Sequence, residues 1–510
     1  MDSTKISLRS LLSQGAVVGI ITYWIAWIAY TRWFHPLARF PGPFWASITR
    51  VWTVLHVLPG NAEQVQRRLH AKYGAVVRIA PNELVTSDPE AIQSLYGVRS
   101  SLLKTDFYLA FRAPWARFPD HFTSEGGRQH ADRRRIVNNI YSLTSILESE
   151  RYVDHCLEIW IAKLGEMADQ KESFDLWTWS RMYAYDIIGE LYFSKMFGFL
   201  EAGRDHLGYI QATDDLIPVQ FLSAHMPTYI RGLFVLGGIF LSSKVRRAFK
   251  ALGHLTDATN AMLKHRLAGL ESSVPEVERP DILNKLLNIS HQRGTELDFV
   301  LDDVKLEIFG ALMAGSETTA VTLSGILFHI FRTSRVYKKL EAEIDGAALK
   351  GCESNRHITY TEAVKLPYLV ACVKEGMRMH PITGVSFPRH APPSGLFIGE
   401  TFIPPNSRIG ANPGVIHFDK SVFGDDADQF RPERWLEDPA RASAMDRHLM
   451  TFGIGARTCI GKHLSLCEIY KAIPALLKSF SFDLEEKTIK TTSYWLIKPI
   501  SIKVNVRRRR

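Results

Sequence analysis

Cys459 lies in a ten-residue stretch that differs from the surroundings of the other cysteines. Residues 452–461 read FGIGARTCIG and hold three glycines, including Gly453, and one arginine. Glycines permit positive φ and close backbone approach to a flat ligand, and backbone N–H groups near a sulfur tune its electron donation. Arg457 can form a charge-assisted hydrogen bond with a carboxylate, and Phe452 can shield the sulfur from water. The stretch predicts that Cys459 ligates haem iron, with a buried structural cysteine as the simpler alternative.

The other cysteines give no second metal or disulfide signal. The chain has five cysteines in all and no CxxC pair. Neither a zinc finger nor a dense disulfide framework is therefore indicated. The remaining four are Cys156, Cys352, Cys372 and Cys467.

A polar patch interrupts an apolar helical segment at residues 314–319, AGSETT. The helix is predicted over 297–334, with acidic residues early, as the helix dipole favours, and an apolar second half that should be buried. A carboxylate and hydroxyls in such a place cost free energy unless they are paired, and a glycine inside a helix costs about 1 kcal/mol relative to alanine. The patch therefore indicates either a functional site or a kinked core helix whose threonines bond back to carbonyls one turn earlier.

Glu375 and Arg378 lie three residues apart on one predicted helical face, in YLVACVKEGMRMHP. Alone they would be interpreted as an ordinary surface pair worth a few tenths of a kcal/mol. Their flanks are apolar, however, and Arg434 in FRPERW offers a third charge. A buried glutamate with two arginines would form a structural network rather than a catalytic one.

The elements that position these residues are mostly helical. Apolar residues recur at three- and four-residue spacing over 146–168, 176–200, 245–270 and 281–291. Strand patterns are fewer, at 74–80, 83–86, 396–403 and 500–506. The sequence predicts a mainly α fold with a smaller β region. The polar loop 271–281 is the best candidate for a break, but it is short.

The N-terminus predicts a membrane anchor. Residues 11–31 carry no charged side chain and would span roughly 30 Å as a helix, about one hydrocarbon core. The apolar run is longer than that of a signal peptide and lacks a small-residue cleavage site. The predicted organisation is a short segment 1–10, a transmembrane anchor 11–31, a basic, proline-rich hinge 32–43 and one catalytic domain 44–510. The flanking charges are too balanced to fix an orientation.

Composition excludes other classes. The 510 residues are 46% hydrophobic and 23% charged, as in a folded globular protein. The net charge of +9 includes the terminal run Arg507–Arg510, which is interpreted as a solvated tail. No aromatic-interleaved basic surface indicates nucleic-acid binding.

With these motifs in place, the chain resembles the cytochrome P450 family. Phe452, Gly453, Gly455, Arg457, Cys459 and Gly461 match the family's haem loop at each defining position. Residues 314–319 look like its oxygen-activation patch, Glu375 and Arg378 like its Glu-x-x-Arg pair, and Arg434 like the third partner. The motifs follow the family's order over residues 44–506. The anchor and FHPLARFPGP are similar to membrane-bound fungal members related to pisatin demethylase.

The resemblance implies a triangular helical domain with a long central distal helix, and haem b held by the Cys459 thiolate. It implies that Thr318 hydrogen-bonds dioxygen at the distal face and that Glu317 helps to deliver protons. The propionate partners implied by analogy are Arg457, Arg389, His130 and Arg134. Many members have tryptophan in place of His130, and Arg133 or Arg135 could replace Arg134. For His130 and Arg134, the alternative is that they lie on a solvated basic helix.

The resemblance also implies partners. Electrons would come from NADPH-cytochrome P450 reductase, with cytochrome b5 as a further donor, because no flavin or nicotinamide motif is present. Arg133, Arg135 and Lys462 could face such an acidic donor. Catalysis on the cytosolic side of the endoplasmic reticulum is implied, as is oxidation (hydroxylation, demethylation or ring oxidation) of a lipophilic small molecule in fungal secondary metabolism. A haem-thiolate isomerase or dehydratase, and a non-enzymatic haem protein, are the alternatives.

Substrate-recognition segments are implied at 100–122, 208–243, 382–387 and 493–497, besides the distal helix. Their side chains are largely apolar and aromatic, and 232–241 is apolar enough to dip into a bilayer or to pack in a core. The aromatic candidates are Phe107, Tyr108, Phe111, Trp115, Phe221, Phe234, Phe387, Tyr494 and Trp495.

Overall fold

The computed structural model describes residues 8–271, 281–351 and 357–509. Helices dominate and small sheets lie beside them, as the sequence predicts. Cys352 and most of the predicted 271–281 loop lie outside the described residues. The α-helices are α1 Leu8–Ala29, α2 Phe44–Ile48, α3 Val51–Val57, α4 Ala62–Tyr73, α5 Ala91–Tyr96, α6 Gly127–Val137, α7 Leu143–Leu147, α8 Glu150–Gln170, α9 Leu176–Phe193, α10 Phe199–Ala202, α11 Tyr209–Ala224, α12 Thr228–Leu241, α13 Ser243–Glu271, α14 Ile282–Leu297, α15 Leu301–Arg332, α16 Ser334–Gly351, α17 Tyr360–Ala363, α18 Pro367–Met379, α19 Pro413–Ile416, α20 Lys420–Phe423, α21 Pro439–Asp446 and α22 Lys462–Ser479.

The distal helix α15 is the central element of the fold. Its Asp303 carboxylate accepts the backbone N–H of Val300 at 2.9 Å, so the acidic start predicted from sequence caps the helix. From Ser316 to Phe331 almost every residue is buried. α9 packs along α15, and α8, α18 and α22 complete the helical core around it.

The β region consists of four small sheets. One has the strand order β1-β2-β7-β4, in which β2 and β7 are parallel, and another has the order β3-β11-β8. The other two are the antiparallel pairs β5-β6 and β9-β10. The strands are β1 Val76–Ala80, β2 Glu83–Thr86, β3 Ser173–Asp175, β4 Arg389–His390, β5 Leu396–Ile398, β6 Thr401–Ile403, β7 Arg408–Ala411, β8 Phe480–Leu484, β9 Thr491–Ser493, β10 Ile497–Pro499 and β11 Lys503–Arg508.

The single strand predicted at 396–403 is wrong. The segment is a hairpin, in which Leu396 pairs with Ile403 and Ile398 with Thr401. Gly399 has φ +52° at the turn, a left-handed conformation that glycine adopts at little cost. The sequence did not reveal the turn, because the side chains of the two strands alternate with the same period and look like one continuous strand.

The N-terminal helix is long and apolar enough to cross a membrane. The candidate span is Gln14–Phe34, and its side chains are largely exposed. A five-residue π-helix, Tyr30–Phe34, follows α1. The anchor is tied to the rest of the chain, because Trp27 Nε1 donates to the carbonyl of Ile48 at 2.9 Å and Arg78 donates to that of Thr31 at 2.8 Å. α15 is also long and apolar enough to cross a membrane, but it is a buried core helix.

The proline-flanked bend needs its glycine. A Cβ on Gly42 would lie 2.2 Å from the carbonyl oxygen of Arg78, far inside contact distance. The N–H of Arg78 also donates to the carbonyl of Pro41 at 2.8 Å. The bend that follows the N-terminal helix therefore packs directly on β1, and no larger residue fits there.

Arg507, Arg508 and Arg509 are part of the fold rather than of a solvated tail. β11 includes Arg507 and Arg508 and pairs with β8. Arg508 contacts Asp169 at 2.7 Å, and Arg509 contacts Asp345 at 2.7 Å. A run of like charge gave no sign of these pairs because the acidic partners are far away in sequence.

Candidate functional site: a cysteine loop, a cation cluster and a polar helix patch

The Cys459 loop is shaped by its glycines. Gly453 and Gly455 both have φ +68°. A Cβ on Gly455 would lie 2.1 Å from the carbonyl oxygen of Tyr96, so only glycine fits. The loop closes on itself, because the N–H of Cys459 donates to the carbonyl of Phe452 at 2.7 Å. α22 begins three residues after Cys459.

Cys459 has an accessible side chain, whereas the other three described cysteines are buried. The accessible surface belongs to a cleft, since enough protein surrounds the sulfur for burial to raise the pKa of its thiol. The backbone N–H of Gly461 and the cations Arg134 and Lys462 oppose that rise. Such donors stabilise a thiolate, the form that binds metals.

The four predicted propionate partners line one cavity of 470 Å³. They are His130, Arg134, Arg389 and Arg457. They come from α6, β4 and the Cys459 loop, so tertiary structure gathers them from three separate segments. This convergence places a positively charged wall next to the cysteine loop.

Arg389 and Arg457 are held in place by neutral oxygens. Arg457 donates to the carbonyls of Ser124 at 2.7 Å and Glu125 at 3.1 Å. Arg389 donates to the Tyr108 hydroxyl at 2.7 Å. Burial and nearby Arg389 lower the pKa of Arg457 to about 10. Neither guanidinium has a carboxylate among the hydrogen bonds found in the described part of the chain.

Lys104 is a member of this cluster that the sequence did not reveal. Its side chain is 5% exposed, and Nζ donates to the carbonyl of Phe122 at 2.6 Å. Burial, Arg389 and Arg457 lower the pKa of Lys104 well below its usual value, and Asp120 offsets this only in part. The available signal was one lysine inside the apolar stretch LLKTDFYLAF.

His130 and Arg134 differ in how they relate to the cavity. His130 is 3% exposed, and burial together with Arg457 and Lys104 lowers its pKa to about 3, so the ring is neutral at pH 7. Arg134 donates to the carbonyl of Thr458, next to the cysteine. α6 is therefore fastened to the cysteine loop and is not merely a solvated basic helix.

Of the two alternatives to Arg134, Arg133 lies elsewhere and Arg135 pairs with exposed Asp132 at 3.7 Å. Arg133 donates to the Asp298 carboxylate at 3.2 Å and stacks on Phe118. Arg135 lines the cavity but its side chain is 80% exposed. Of the two, only Arg135 is placed to meet a group in the cavity.

The cation cluster fits the two carboxylates of a haem. Lys104, Arg134, Arg389 and Arg457 bring four basic groups to one region, and burial lowers the pKa values of Lys104, Arg134 and Arg457. An anion of charge near −2 would offset the positive charge gathered there. The accessible Cys459 sulfur supplies the soft donor that iron in a haem accepts.

The distal patch splits into an accessible and a buried face. Ala314 is exposed and Thr318 half-buried, whereas Ser316, Glu317 and Thr319 are buried. Thr318 Oγ1 donates to the carbonyl of Ala314 at 2.7 Å, the back-bond expected for a threonine in a helix. The Thr318 hydroxyl therefore lies on the face of α15 that is open to a ligand.

Gly315 lies against α9. A Cβ at this position would lie 2.7 Å from Ile188 Cδ1, so a larger residue would require the end of that side chain to shift. The glycine therefore permits the close approach of α9 to α15.

Glu317 points into an ion cluster. Its carboxylate accepts from Arg181 at 2.6 and 2.8 Å and from Thr213 Oγ1 at 3.2 Å. Lys498 Nζ approaches the other oxygen to 2.6 Å without good hydrogen-bond direction. Asp214 contacts both cations at 2.9 Å, so the four charges balance. Burial alone would lower the pKa of Arg181, but Glu317 and Asp214 raise it.

Glu375, Arg378 and Arg434 are brought together and are fully buried. Arg378 donates to Glu375 through Nε and Nη2 at 2.9 and 2.8 Å, and Arg434 Nε donates to the same carboxylate at 2.9 Å. Trp435 Nε1 donates to it as well, at 2.9 Å. Arg434 Nη1 also donates to the Asp426 carboxylate at 2.9 Å, and other N–H groups of the two arginines reach backbone carbonyls, including that of His417. The triad lies away from the accessible face of α15. It joins the segment that carries Arg434 to α18, which carries Glu375 and Arg378.

Most of the predicted recognition aromatics share one cluster. Phe107, Tyr108, Phe111, Phe221, Tyr494 and Trp495 pack together, and Phe387 joins through its contact with Trp495. Trp115 packs on Phe309 instead, and Phe234 lies on α12. The described residues of α12 include no buried side chain, and Tyr229 and Leu241 are 85% and 90% exposed.

The chain belongs to the cytochrome P450 family, whose sequence profile matches residues 41–506. It is 38% identical to the cytochrome P450 monooxygenase gsfF of Penicillium aethiopicum over 500 residues, covering 97% of this chain and 98% of that protein. It is 32% identical to the cytochrome P450 monooxygenase cicH of Emericella nidulans over 93% of this chain and 94% of that one. Pisatin demethylase of Fusarium vanettenii is 30% identical over 96% and 92%.

The protein is accordingly an enzyme of the cytochrome P450 monooxygenase class, and the predicted fold class is confirmed. Membership in the family implies a haem-thiolate cofactor and a redox partner in general. The roles of individual residues, the kind of oxidation and the substrate are matters of proposal.

Proposed function

We propose that this protein is a membrane-anchored haem-thiolate monooxygenase that inserts one oxygen atom of O2 into a lipophilic small molecule. The observation that carries the proposal is Cys459: its thiol is accessible in a glycine-shaped loop beside a cluster of basic side chains. The relatives are fungal monooxygenases, and one is named pisatin demethylase. Because these relatives are fungal monooxygenases, the proposed reaction is a hydroxylation, demethylation or ring oxidation in fungal secondary metabolism.

The cofactor proposed is haem b, which when bound supplies the activation of dioxygen that amino-acid side chains cannot perform. Cys459 would hold its iron from the proximal side. Arg457, Arg389 and Lys104 would hold the propionates through charge-assisted hydrogen bonds. Neutral His130 would add a hydrogen bond, and Arg134 would position the loop through Thr458.

Thr318 is the group proposed to handle protons at the open face of α15. Its Oγ1–H now satisfies the Ala314 carbonyl and can rotate to donate to a ligand at that face. Glu317 is proposed as the proton source, reached through water. Arg181 and Lys498 hold its carboxylate in the buried ion cluster.

The structural triad proposed is Glu375, Arg378 and Arg434. It would fix the loop that precedes the cysteine, because Arg378 bonds the His417 carbonyl and His417 Nε2 accepts the N–H of Met450. Met450 lies nine residues before Cys459. The catalytic domain proposed is residues 44–510, with 11–31 as the anchor.

The proposed electron donor is NADPH-cytochrome P450 reductase, with cytochrome b5 as a second donor. Exposed Arg135 and half-buried Lys462 lie near the cysteine loop and suit an acidic partner. Arg133 is less suited because Asp298 already pairs with it. The proposed location is the endoplasmic reticulum, with the catalytic domain in the cytosol and exposed α12 touching the bilayer beside the anchor.

Carbon monoxide tests the proposal directly. Full-length protein in microsomes, loaded with haem and reduced by dithionite, should give the red-shifted Soret band of a thiolate-ligated carbonyl complex. Cys459→Ala should lose that band, while Cys467→Ala, a buried cysteine on α22, should keep it. A histidine-like carbonyl spectrum in the unmodified protein would overturn the assignment. Product formation that requires peroxide and ignores NADPH and reductase would favour the isomerase or dehydratase alternative.

A further inference from the structure

Arg78 of β1 is a buried arginine whose hydrogen bonds go to backbone carbonyls. It is 1% exposed, and it donates to the carbonyl of Thr31 at 2.8 Å and to that of Pro81 at 2.6 Å. A longer hydrogen bond of 3.4 Å reaches the carbonyl of Leu37. Within the described residues, neither a hydrogen bond nor an ion pair joins Arg78 to a carboxylate. A buried cation is costly unless acceptors surround it, so these carbonyls are what stabilise the guanidinium.

The Thr31 carbonyl belongs to the end of the helix that is long enough to span a membrane. In the π-helix Tyr30–Phe34 it would accept the N–H five residues later, but that residue is Pro36, which has no N–H. The N–H of His35 already donates to the carbonyl of Tyr30 at 2.8 Å. Carbonyls at a helix end lack partners and carry the negative end of the helix dipole. Arg78 therefore supplies both the donor and the positive charge that this helix end requires.

Further contacts join the same helix end to the catalytic domain. Trp27 Nε1 donates to the carbonyl of Ile48 at 2.9 Å, which ties the helix to α2. The N–H of Arg78 donates to the carbonyl of Pro41 at 2.8 Å, so the proline-flanked bend adds to the sheet edge. A Cβ on Gly42 would lie 2.2 Å from the carbonyl oxygen of Arg78, which leaves the bend no room to shift towards β1.

We propose that Arg78 holds the N-terminal anchor helix at a fixed angle to the catalytic domain, so that the two move as one rigid body on the bilayer. Without these bonds, residues 32–43 would act as a flexible tether between helix and domain. With them, the exposed rings of Phe44 and Trp45 on α2 stay at one depth beside the anchor, where aromatic side chains favour the membrane interface. This inference rests on the anchor of the proposed function and is independent of the chemistry at Cys459.

Two spin labels test the inference. Full-length holoprotein in lipid nanodiscs carries p-acetylphenylalanine in place of exposed Val18 on the anchor and exposed Gln64 on α4, and each ketone is coupled to a nitroxide. Pulsed electron-electron double resonance gives the distribution of distances between the labels. The distribution should be narrow in this labelled parent. Arg78→Met should broaden it, because the Thr31 carbonyl loses its donor. Trp27→Phe should broaden it in part, from the anchor side and without a change in the core of the domain.

Arg50→Met is the matched control. Arg50 also borders this sheet and donates to Glu83 at 2.7 Å and to Asn82 at 2.8 Å, but in the described part of the chain it has no hydrogen bond to the anchor. The distribution should stay narrow in this variant. A broad distribution in the parent, or equal widths in the parent, Arg78→Met and Trp27→Phe, would overturn the proposal, as would equal broadening in Arg50→Met. If Arg78→Met does not fold, Trp27→Phe against Arg50→Met decides the question.

Two further measurements separate this inference from the proposed function. Alkaline carbonate should leave the protein in microsomal membranes, and its release would remove the anchor and the fixed angle together. The carbon monoxide spectrum reports the cysteine ligand alone. A histidine-like spectrum with a narrow distance distribution would remove the haem-thiolate assignment and leave the role of Arg78 standing, whereas a normal spectrum with a broad distribution would remove only the role of Arg78.

Discussion

Lys498 Nζ lies 2.6 Å from Glu317 Oε2 and so joins the C-terminal hairpin to the distal helix. Arg181 reaches the other oxygen from α9, and Asp214 bridges the two cations. The acid proposed to supply protons is thus clamped by residues of α9 and β10.

Glu317→Gln should leave the carbon monoxide spectrum intact but slow the reductase-driven reaction. It should also cost about 3 kcal/mol of unfolding free energy, because Arg181 and Lys498 lose their buried partner. Chemical denaturation and NADPH oxidation rates measure the two effects. Asp214→Asn weakens the same clamp without touching the distal helix, so it should reduce stability while sparing turnover. Equal turnover losses in both variants would argue against proton supply by Glu317.

Thr318→Ala should bind haem normally and divert electrons from product to hydrogen peroxide. General acid-base groups contribute roughly 10²-fold or more, so a large fall in coupling is expected. The measurement is peroxide released per NADPH oxidised. Thr322→Ala is the matched control, because Thr322 makes the same back-bond, to Thr318 at 2.9 Å, from a buried position. Unchanged coupling in Thr318→Ala would exclude the proposed role.

Arg378→Ala should unfold much of the protein or prevent haem incorporation. It would leave the fully buried Glu375 carboxylate without its bidentate partner, at a cost of about 3–5 kcal/mol. The midpoint of urea unfolding and the haem-to-protein ratio report the loss. Arg335→Ala removes an exposed arginine that pairs with Glu433, and should cost no more than about 1 kcal/mol. Similar small losses in both variants would contradict a structural triad.

Stability should fall as the pH drops from about 7 towards 4. Burial lowers the pKa of His417 and of His329 to about 3, with arginines and His380 adding to the effect. Below pH 6.5 these histidines bind protons in the unfolded chain but stay neutral in the folded protein. Each ring therefore lowers the free energy of unfolding by about 1.4 kcal/mol per pH unit until its native pKa is reached.

The measurement is the unfolding midpoint between pH 8 and pH 5. His417→Gln should make the pH dependence shallower, although it lowers stability at neutral pH by weakening the contact with Met450. His155→Gln, at an exposed position, should leave the slope unchanged. An unaltered slope in the His417 variant would show that its ring is not held neutral.

Local sequence pattern was enough to predict the elements with strong periodicity or dense motifs. The distal helix, β1 and β2 lie within a few residues of their predicted bounds because each is a continuous, largely apolar segment that is mostly buried. The hairpin at 396–403 was missed because one glycine turn is weak against a long apolar run. Lys104 was missed because a lysine gives no sign of its neighbours until Arg389 and Arg457 surround it.

The sequence by itself indicated the family and the cysteine proposed as the iron ligand, because a ligand loop is short and its residue types act on their neighbours. Only the tertiary structure decided that Gly315 faces Ile188, that Glu317 is clamped by Arg181 and Lys498, and that Arg508 and Arg509 are paired. These contacts join residues far apart in the chain, and their partners are set by how helices pack rather than by spacing. The aromatic residues around Trp495 belong to the same category: each is an ordinary aromatic in sequence, and only packing brings them together.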